Sequence, residues 1–387
     1  MWFLLFACGQ LLDVAPTAPD ARSARTFRTW EVDCGGGVHF TTIHDALEAA
    51  RSGDVIRVAP CTYQESIKFK GKAVTIESTN GPAVTTIVGA PGEPAVKVND
   101  GEGAGTVLAG FTITGGGGPA EPAIEVQFSS LHLRDVLIVG NVGTTVLYSN
   151  AGHVLLEGVT FRDNLASEGL IIQERRGMTV LKDSVVQCDG VGVGYVVEHG
   201  AGFIDGSTFD CPGAIGVDLY HSDGRIQRTV IDGQLRVENE VLELLERAVI
   251  EDVVLHDGVV IDSADVTLRN VVSFGEITAR DAKVVLQSSI VTGAICGVNS
   301  IGSSIAVRSS DLWHNDVNLC GDVDRVTSDG VLAVDPRFVN PAAGDLHLAV
   351  GSPCIDAGPA DEDFRDPDGS VNDLGVYGGP LSIGGGW

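Results

Sequence analysis

The sequence predicts an all-β fold, a parallel β-helix with one short helix across its N-terminal end, and three observations predict it. First, an aliphatic residue recurs at Leu108, Leu133, Leu156, Leu181, Ile204, Ile226, Ile250, Leu268, Leu286 and Val307, at separations of 25, 23, 25, 23, 22, 24, 18, 18 and 21 residues. That is the spacing of solenoid coils, whose strands bury their apolar faces only when the next coil stacks on them. Second, the residue after each marker is mostly polar and mixed in charge: Ala109, Arg134, Glu157, Lys182, Asp205, Gln227, Glu251, Arg269, Gln287, Arg308. Parallel strands would set this column facing water at ~4.8 Å spacing, where unlike neighbours are favourable. Third, no helical period of comparable regularity competes with the alternation seen in the unit from His153 to Asn164, HVLLEGVTFRDN.

Length and composition set the frame. A chain of 387 residues suggests two or three domains, but a solenoid lengthens by adding coils to one core, so one long domain is expected over 30–387. Within it, 30–90 reads as the cap and first coils, 105–315 as regular coils and 316–387 as a closing block. Glycine is abundant (50 residues) and aromatics make up only 6 %, which suits short strands and tight turns. The net charge of −27 argues against nucleic acid or an anionic membrane surface as a partner, since either requires a basic face.

Eight cysteines are many for a reducing compartment. Cys188 and Cys211 each stand seven residues after a marker, so adjacent coils should set them over one another within disulfide range. Cys34 and Cys61 each follow a short strand-like run and are expected to pair in the same way. Cys296 and Cys320, the third candidate pair, lie one coil apart but not in matching register. No partner is assigned to Cys354.

Taken in order, the chain opens with Met1 to Gln10, whose Leu5-Phe-Ala-Cys8 resembles a bacterial lipoprotein cleavage box with Cys8 as the lipidated residue. The apolar run is short and lacks a preceding basic residue, which points to a start codon upstream. Residues 1–29 then read as a leader and a tether, the only expected link to a membrane. Ile43, Ala46, Leu47 and Ala50 follow a helical period, with Thr42 and Asp45 at capping positions and Gly53 beyond the end. That helix is expected to cover the open end of the coil stack.

The order Phe40-Thr-Thr-Ile43, Ala46-Leu47, Gly53-Asp54, Val58-Ala-Pro60, Tyr63-Gln-Glu65, Val74-Thr-Ile76 resembles the opening coil of right-handed parallel β-helix proteins of the pectin-lyase-like superfamily. The resemblance implies that fold and little chemistry, because enzymes and non-enzymes share the block. The tail, with Asp335-Pro-Arg-Phe338, Ser352-Pro-Cys-Ile-Asp-Ala-Gly358 and Asp373-Leu-Gly-Val-Tyr377, is similar to the closing block of secreted bacterial β-helix repeat proteins. Between them, residues 238–249 favour helix by propensity, but Ile226 to Ile250 is an ordinary 24-residue coil, so strands and turns are expected.

Catalytic signatures of the superfamily's pectinolytic enzymes are absent: paired aspartates with glutamine donors, an adjacent Asp-Asp with Arg-x-Lys, and Arg-x-Pro-x-x-Arg. No catalytic residue is therefore assigned. Register does align Asp210, Asp232 and His256 six residues after their markers. Two stacked carboxylates beside a histidine suit acid/base work on a glycosidic bond or a calcium ion, and equally a solvated stripe, which is the preferred reading. Five residues before the markers stand Arg176, His199 and His221, with Tyr220 adjacent, a set able to line an acidic sugar chain. In the tail, Asp366 and Asp368 resemble part of a calcium loop without its remaining ligands. The expectation for function is a non-catalytic exported or lipid-anchored surface protein that binds glycan or other surface components. The alternative is a polysaccharide lyase or glycoside hydrolase acting on acidic polysaccharide, with Asp210, Asp232 and His256 at its centre.

Overall fold

A computed structural model of the chain describes residues 26–190, 192–239 and 247–382. They form an all-β parallel solenoid of about 13 turns. Every marker pairs with the next as the spacing predicts, from Leu108 with Leu133 to Leu286 with Val307. The column extends backwards through Ile76, Ile56 and Trp30. Each regular coil adds strands to three ladders: the marker ladder, a second one through Leu137–Val139, Thr160–Arg162 and Val185–Gln187, and a third through Val96–Val98, Ile124–Gln127, Val142–Asn150, Leu165–Arg175 and Val193–Glu198.

The corners explain why the coil closes. Residues two after the marker lie in the left-handed region, including Asp135 (φ 52°), Asp183 (48°) and Asn270 (50°), residue types that tolerate it. Gly206 takes the same place, where a Cβ would lie 2.5 Å from Asp183 Oδ1. The turn amides are met by stacked side chains: Ser184 Oγ accepts from Val159 N, Ser207 Oγ from Ser184 N, and Thr229 Oγ1 from Ser207 N. Asn164 closes its unit in the same manner, accepting from Asn141 N at 3.1 Å and donating to Ile138 O at 2.8 Å. Buried polar groups in such stacks would otherwise lack partners, at a cost of about 1–3 kcal/mol each. Inside them runs one apolar core from Val32 to Leu312.

Helix α1, Ile43–Ala49, buries Ile43, Ala46 and Leu47, and Thr42 Oγ1 accepts from Asp45 N at 3.1 Å. Glu65 completes its N-terminus by accepting from Ile43 N and His44 N at 2.9 and 2.8 Å. Three disulfides join adjacent coils: Cys34 to Cys61, Cys188 to Cys211 and Cys296 to Cys320, with Cα separations of 6.4, 4.9 and 6.2 Å. Cys320 pairs in the ladder with Asn299, so the last bond forms out of register. Cys354 is a buried thiol beside Asp311, and burial pushes its pKa up to about 12.

The structure corrects three expectations. The coils do not end at residue 315, because Val317–Gly321 and Val326–Asp329 add one more round, with polar Ser328 opposite Val307. Residues 335–382 do not prolong the solenoid; Leu346, Cys354, Leu374 and Val376 lie back on Val254, Val272 and Ile290 in a second apolar cluster. The tail, rich in Pro, Gly and Asp, forms only a short antiparallel pair, Phe338–Asn340 with Asp345–Leu348, yet its few apolar residues find a flank to bury on. It covers part of the column expected to face water, where Glu251 and Gln287 are buried. Cys8 with residues 1–25, and the centre of the 238–249 segment, lie outside the described residues.

Candidate functional site

The Asp210, Asp232 and His256 column forms on the outer side of the second ladder. Asp210 and Asp232 are direct cross-strand neighbours, Gln187 Nε2 donates to Asp210 Oδ2 at 3.1 Å, and His256 Nδ1 lies 3.8 Å from Asp232 Oδ1. Asp232 and His256 are both more than two-fifths exposed, and the imidazole stacks on Phe274. The column thus has its own partners and no enclosing wall of side chains.

Arg176, His199 and His221 occupy a corner, not a strand face, with φ of 58°, 55° and 48°. The two imidazoles stack at 5.0 Å and Tyr220 meets them edge-on, at 4.2 Å from His221 and 6.0 Å from His199. In the tail, Asp366 accepts from the backbone N–H groups of Asp373 and Gly379, and Asp368 accepts from Ser370 N and Oγ. These oxygens close an acidic turn on itself. Among the described residues, no group of three His, Cys, Asp or Glu side chains is placed to hold a metal ion.

A richer site lies one residue away from the corner column, on the outer face of the third ladder. Alternation along parallel strands points every second side chain outward. Adjacent strands therefore set Lys97, Glu125, Tyr148 and Gln173 side by side, and beside them Gln127, Asn150, Arg175, Glu198 and Tyr220. Over this face opens a recess of about 520 Å³, walled by Ala120, Glu121, Pro122 and Glu168, and floored by Glu125, Thr145, Tyr148, Gln173 and Arg175.

Its floor is fixed by ion pairs. Lys97 Nζ holds Glu125 at 2.6 Å, and Gln127 donates to the same carboxylate. Arg175 Nε and Gln173 Nε2 both donate to Glu198, at 2.6 and 3.0 Å, and Arg175 also bonds the Tyr148 side chain. Glu125 is 7 % and Gln173 6 % exposed, so the Glu125 carboxylate is held against packed surroundings, whereas Arg175 stays half exposed. Thr145 differs: it is 1 % exposed, lines the recess, and its hydroxyl has no hydrogen-bond partner. A buried hydroxyl in that state offers a hydrogen bond to a polar ligand atom. Beneath the floor, Glu174 points into the core and takes a hydrogen bond from Thr179 Oγ1 at 2.8 Å; burial pushes its pKa up to about 7. Farther along the same face, burial raises Asp218 to about 6 against the pull of Arg236.

Sequence reasoning missed this site although the signal was present. Glu125, Tyr148 and Gln173 each stand eight residues before a marker, and Gln127, Arg175, Glu198 and Tyr220 six before. The column at minus five that drew attention is the corner next to them.

Neither a family model nor a curated protein matches the chain. Among solved structures it is similar to the Agl-KA catalytic domain, at 12 % identity and a TM-score of 0.44, over 75 % of this chain and 64 % of that one. The chain thus spans under two thirds of that domain. It is also similar to pectate lyase Pel9A (12 %, TM-score 0.39, 92 % and 97 % covered) and to an alginate lyase from Paenibacillus sp. str. FPU-7 (14 %, 0.35, 78 % and 99 %). At these identities the likeness is one of fold.

Proposed function

We propose that the chain is an extracytoplasmic carbohydrate-active enzyme that hydrolyses a polysaccharide laid across the recess over the third ladder. One observation carries this reading: the recess is lined by the buried Thr145, whose hydroxyl has no partner, together with three carboxyls, a phenol, two primary amides and a guanidinium. Such planar, bidentate donors and acceptors are the groups that read vicinal sugar hydroxyls. Three disulfides support the extracytoplasmic setting.

Hydrolysis needs one carboxyl to protonate the leaving glycosidic oxygen and another to act as base or nucleophile. Glu125, clamped by Lys97 and Gln127, is assigned the fixed carboxylate role. Glu168 stands exposed on the wall and is assigned the proton donor, while Arg175 and Tyr148 orient the sugar. As the C–O bond breaks, Glu168 gives its proton to the leaving oxygen, Glu125 takes a proton from the water whose oxygen bonds the anomeric carbon, and exchange with solvent then deprotonates Glu125 and reprotonates Glu168. A recess able to supply both groups favours catalysis over passive glycan binding, and it moves the centre away from Asp210, Asp232 and His256. The test is reducing-end release from neutral, amino-sugar and uronic polysaccharides, with and without calcium, by wild type, Glu125→Gln and Asp232→Asn. Release lost in Glu125→Gln and kept in Asp232→Asn supports the assignment; the reverse pattern, or no release by wild type from any polymer, overturns it.

A further inference from the structure

The charge balance of the recess bears on which polymer it takes, an inference that rests on the reading above. Glu121, Glu125 and Glu168 line it, and Arg175 is the one cation among its described lining residues. That guanidinium is committed to Glu198 at 2.6 Å, and Lys97, the next cation along this face, is committed to Glu125 at 2.6 Å. Glu121 also contributes to the field that raises the Lys97 pKa, after the Glu125 hydrogen bond. Both cations are thus paired with carboxylates, though Arg175 stays half exposed, leaving Glu121 and Glu168 as excess negative charge on the walls. The chain as a whole carries −27. A uronate polymer would bring further carboxylates against this field. Elimination chemistry on a uronate needs its carboxylate neutralised, and both described cations of this face already pair with protein carboxylates.

We infer that the polymer is an amino-sugar polysaccharide bearing free ammonium groups. Its ammonium groups pair with Glu121 and Glu168 at the walls, its hydroxyls meet Gln173 and Tyr148 on the floor, and one of its oxygens or amines bonds Thr145 Oγ1. Attraction of this kind is long-range and screened by salt, whereas the hydrogen bonds are not.

The test is titration calorimetry at about pH 5, where free sugar amines are charged and most carboxyls ionised, with hexamers of glucosamine, N-acetylglucosamine and galacturonate, the last with and without calcium. Wild type should bind the glucosamine hexamer roughly tenfold tighter than the acetylated one, with the gap closing at high salt. Glu121→Gln should lose severalfold in affinity for the glucosamine hexamer alone. Equal binding of the two amino-sugar hexamers, or tighter binding of galacturonate in either calcium condition, overturns the charge inference and leaves the site standing. Binding unaffected by Thr145→Val and Arg175→Ala, or no binding of any hexamer, overturns the site itself.

Discussion

Two recesses of nearly equal size lie on this solenoid, and they differ in what lines them. One, of about 520 Å³, is built from charged and amide side chains held by ion pairs. The other, of about 510 Å³, is lined by Gly190, Gly192, Pro212, Gly213, Ala214, Ile215, Gln234 and Asp257. Volume is therefore no guide to chemistry here. The second recess is lined mainly by glycine and small apolar residues, and beside it Asp210 takes a hydrogen bond from Gln187 while Asp232 pairs with His256. The first places paired charges on its floor and has the buried Thr145 hydroxyl, without a partner, in its lining.

Substitutions can break or sharpen that contrast, beginning with the largest effect. Glu168→Gln should lower hydrolysis by on the order of 10²-fold or more, the usual contribution of a proton-transferring side chain, while Asp257→Asn in the other recess leaves it unchanged; initial rates of reducing-end release decide. Replacing Cys188 and Cys211 by serine opens the corner from which Pro212 and Gly213 lead off, removing a bond that closes a loop of 23 residues in sequence separation. It should cost on the order of 3 kcal/mol in the chain-entropy model, read as a lower denaturant midpoint with hydrolysis retained below it. Loss of hydrolysis in the folded variant would show that the two recesses are coupled.

The pH dependence of stability follows from the carboxyls whose pKa values burial raises: Asp252 to about 8, Glu174 to about 7, and Asp218 and Asp366 to about 6. Their folded values lie above the unfolded ones, so the stability they confer is complete below about pH 4 and is lost as pH rises through 6 to 8. Between those limits the chain should melt higher in mild acid than at pH 8, Glu174 accounting for on the order of 3 kcal/mol. Glu174→Gln should flatten the part of the profile below about pH 7, and a profile unchanged by it would place that carboxyl elsewhere than in the core. Smaller still, Thr145→Val should leave the free protein as stable or about 1 kcal/mol more so, while oligosaccharide affinity falls. A drop in both would mean that the hydroxyl is already satisfied. Asp232→Asn should shift the melting temperature by no more than a degree or so upward, since it removes one of two facing carboxylates in a half-exposed pair.

How far the sequence disclosed this molecule depended on what kind of interaction each part rests on. The coil register was legible because burial punishes a one-residue slip at every marker from Leu108 to Val307. The Cys188–Cys211 bond was legible for the same reason, since register alone sets the two sulfurs together. The tail was not, because its docking depends on a few contacts of high sequence separation, such as Leu374 and Val376 against Val272, that no local pattern announces. The recess was half legible. Its polar residues obey the same period as the markers, but alternating polar residues on a solvent face are also what any exposed strand shows. Depth and ion pairing exist only once the turn at Glu121 and the strand at Glu168 border the face.

The tail that folds back on the flank changes how the molecule would come apart under tension. A bare stack of coils can be peeled from its end, one round at a time, each step broken by a small force. Here Asn270 Nδ2 donates to the carbonyl oxygens of Asp373 and Gly375, Ser288 O accepts from Gly375 N, Arg269 lies 4.9 Å over the Phe364 ring, and Cys354 sits against Asp311. One strap thus grips several successive rounds. Pulling on the C-terminus loads those contacts in parallel, in shear, before any strand can lift, so the end most exposed to fraying becomes the end that resists it.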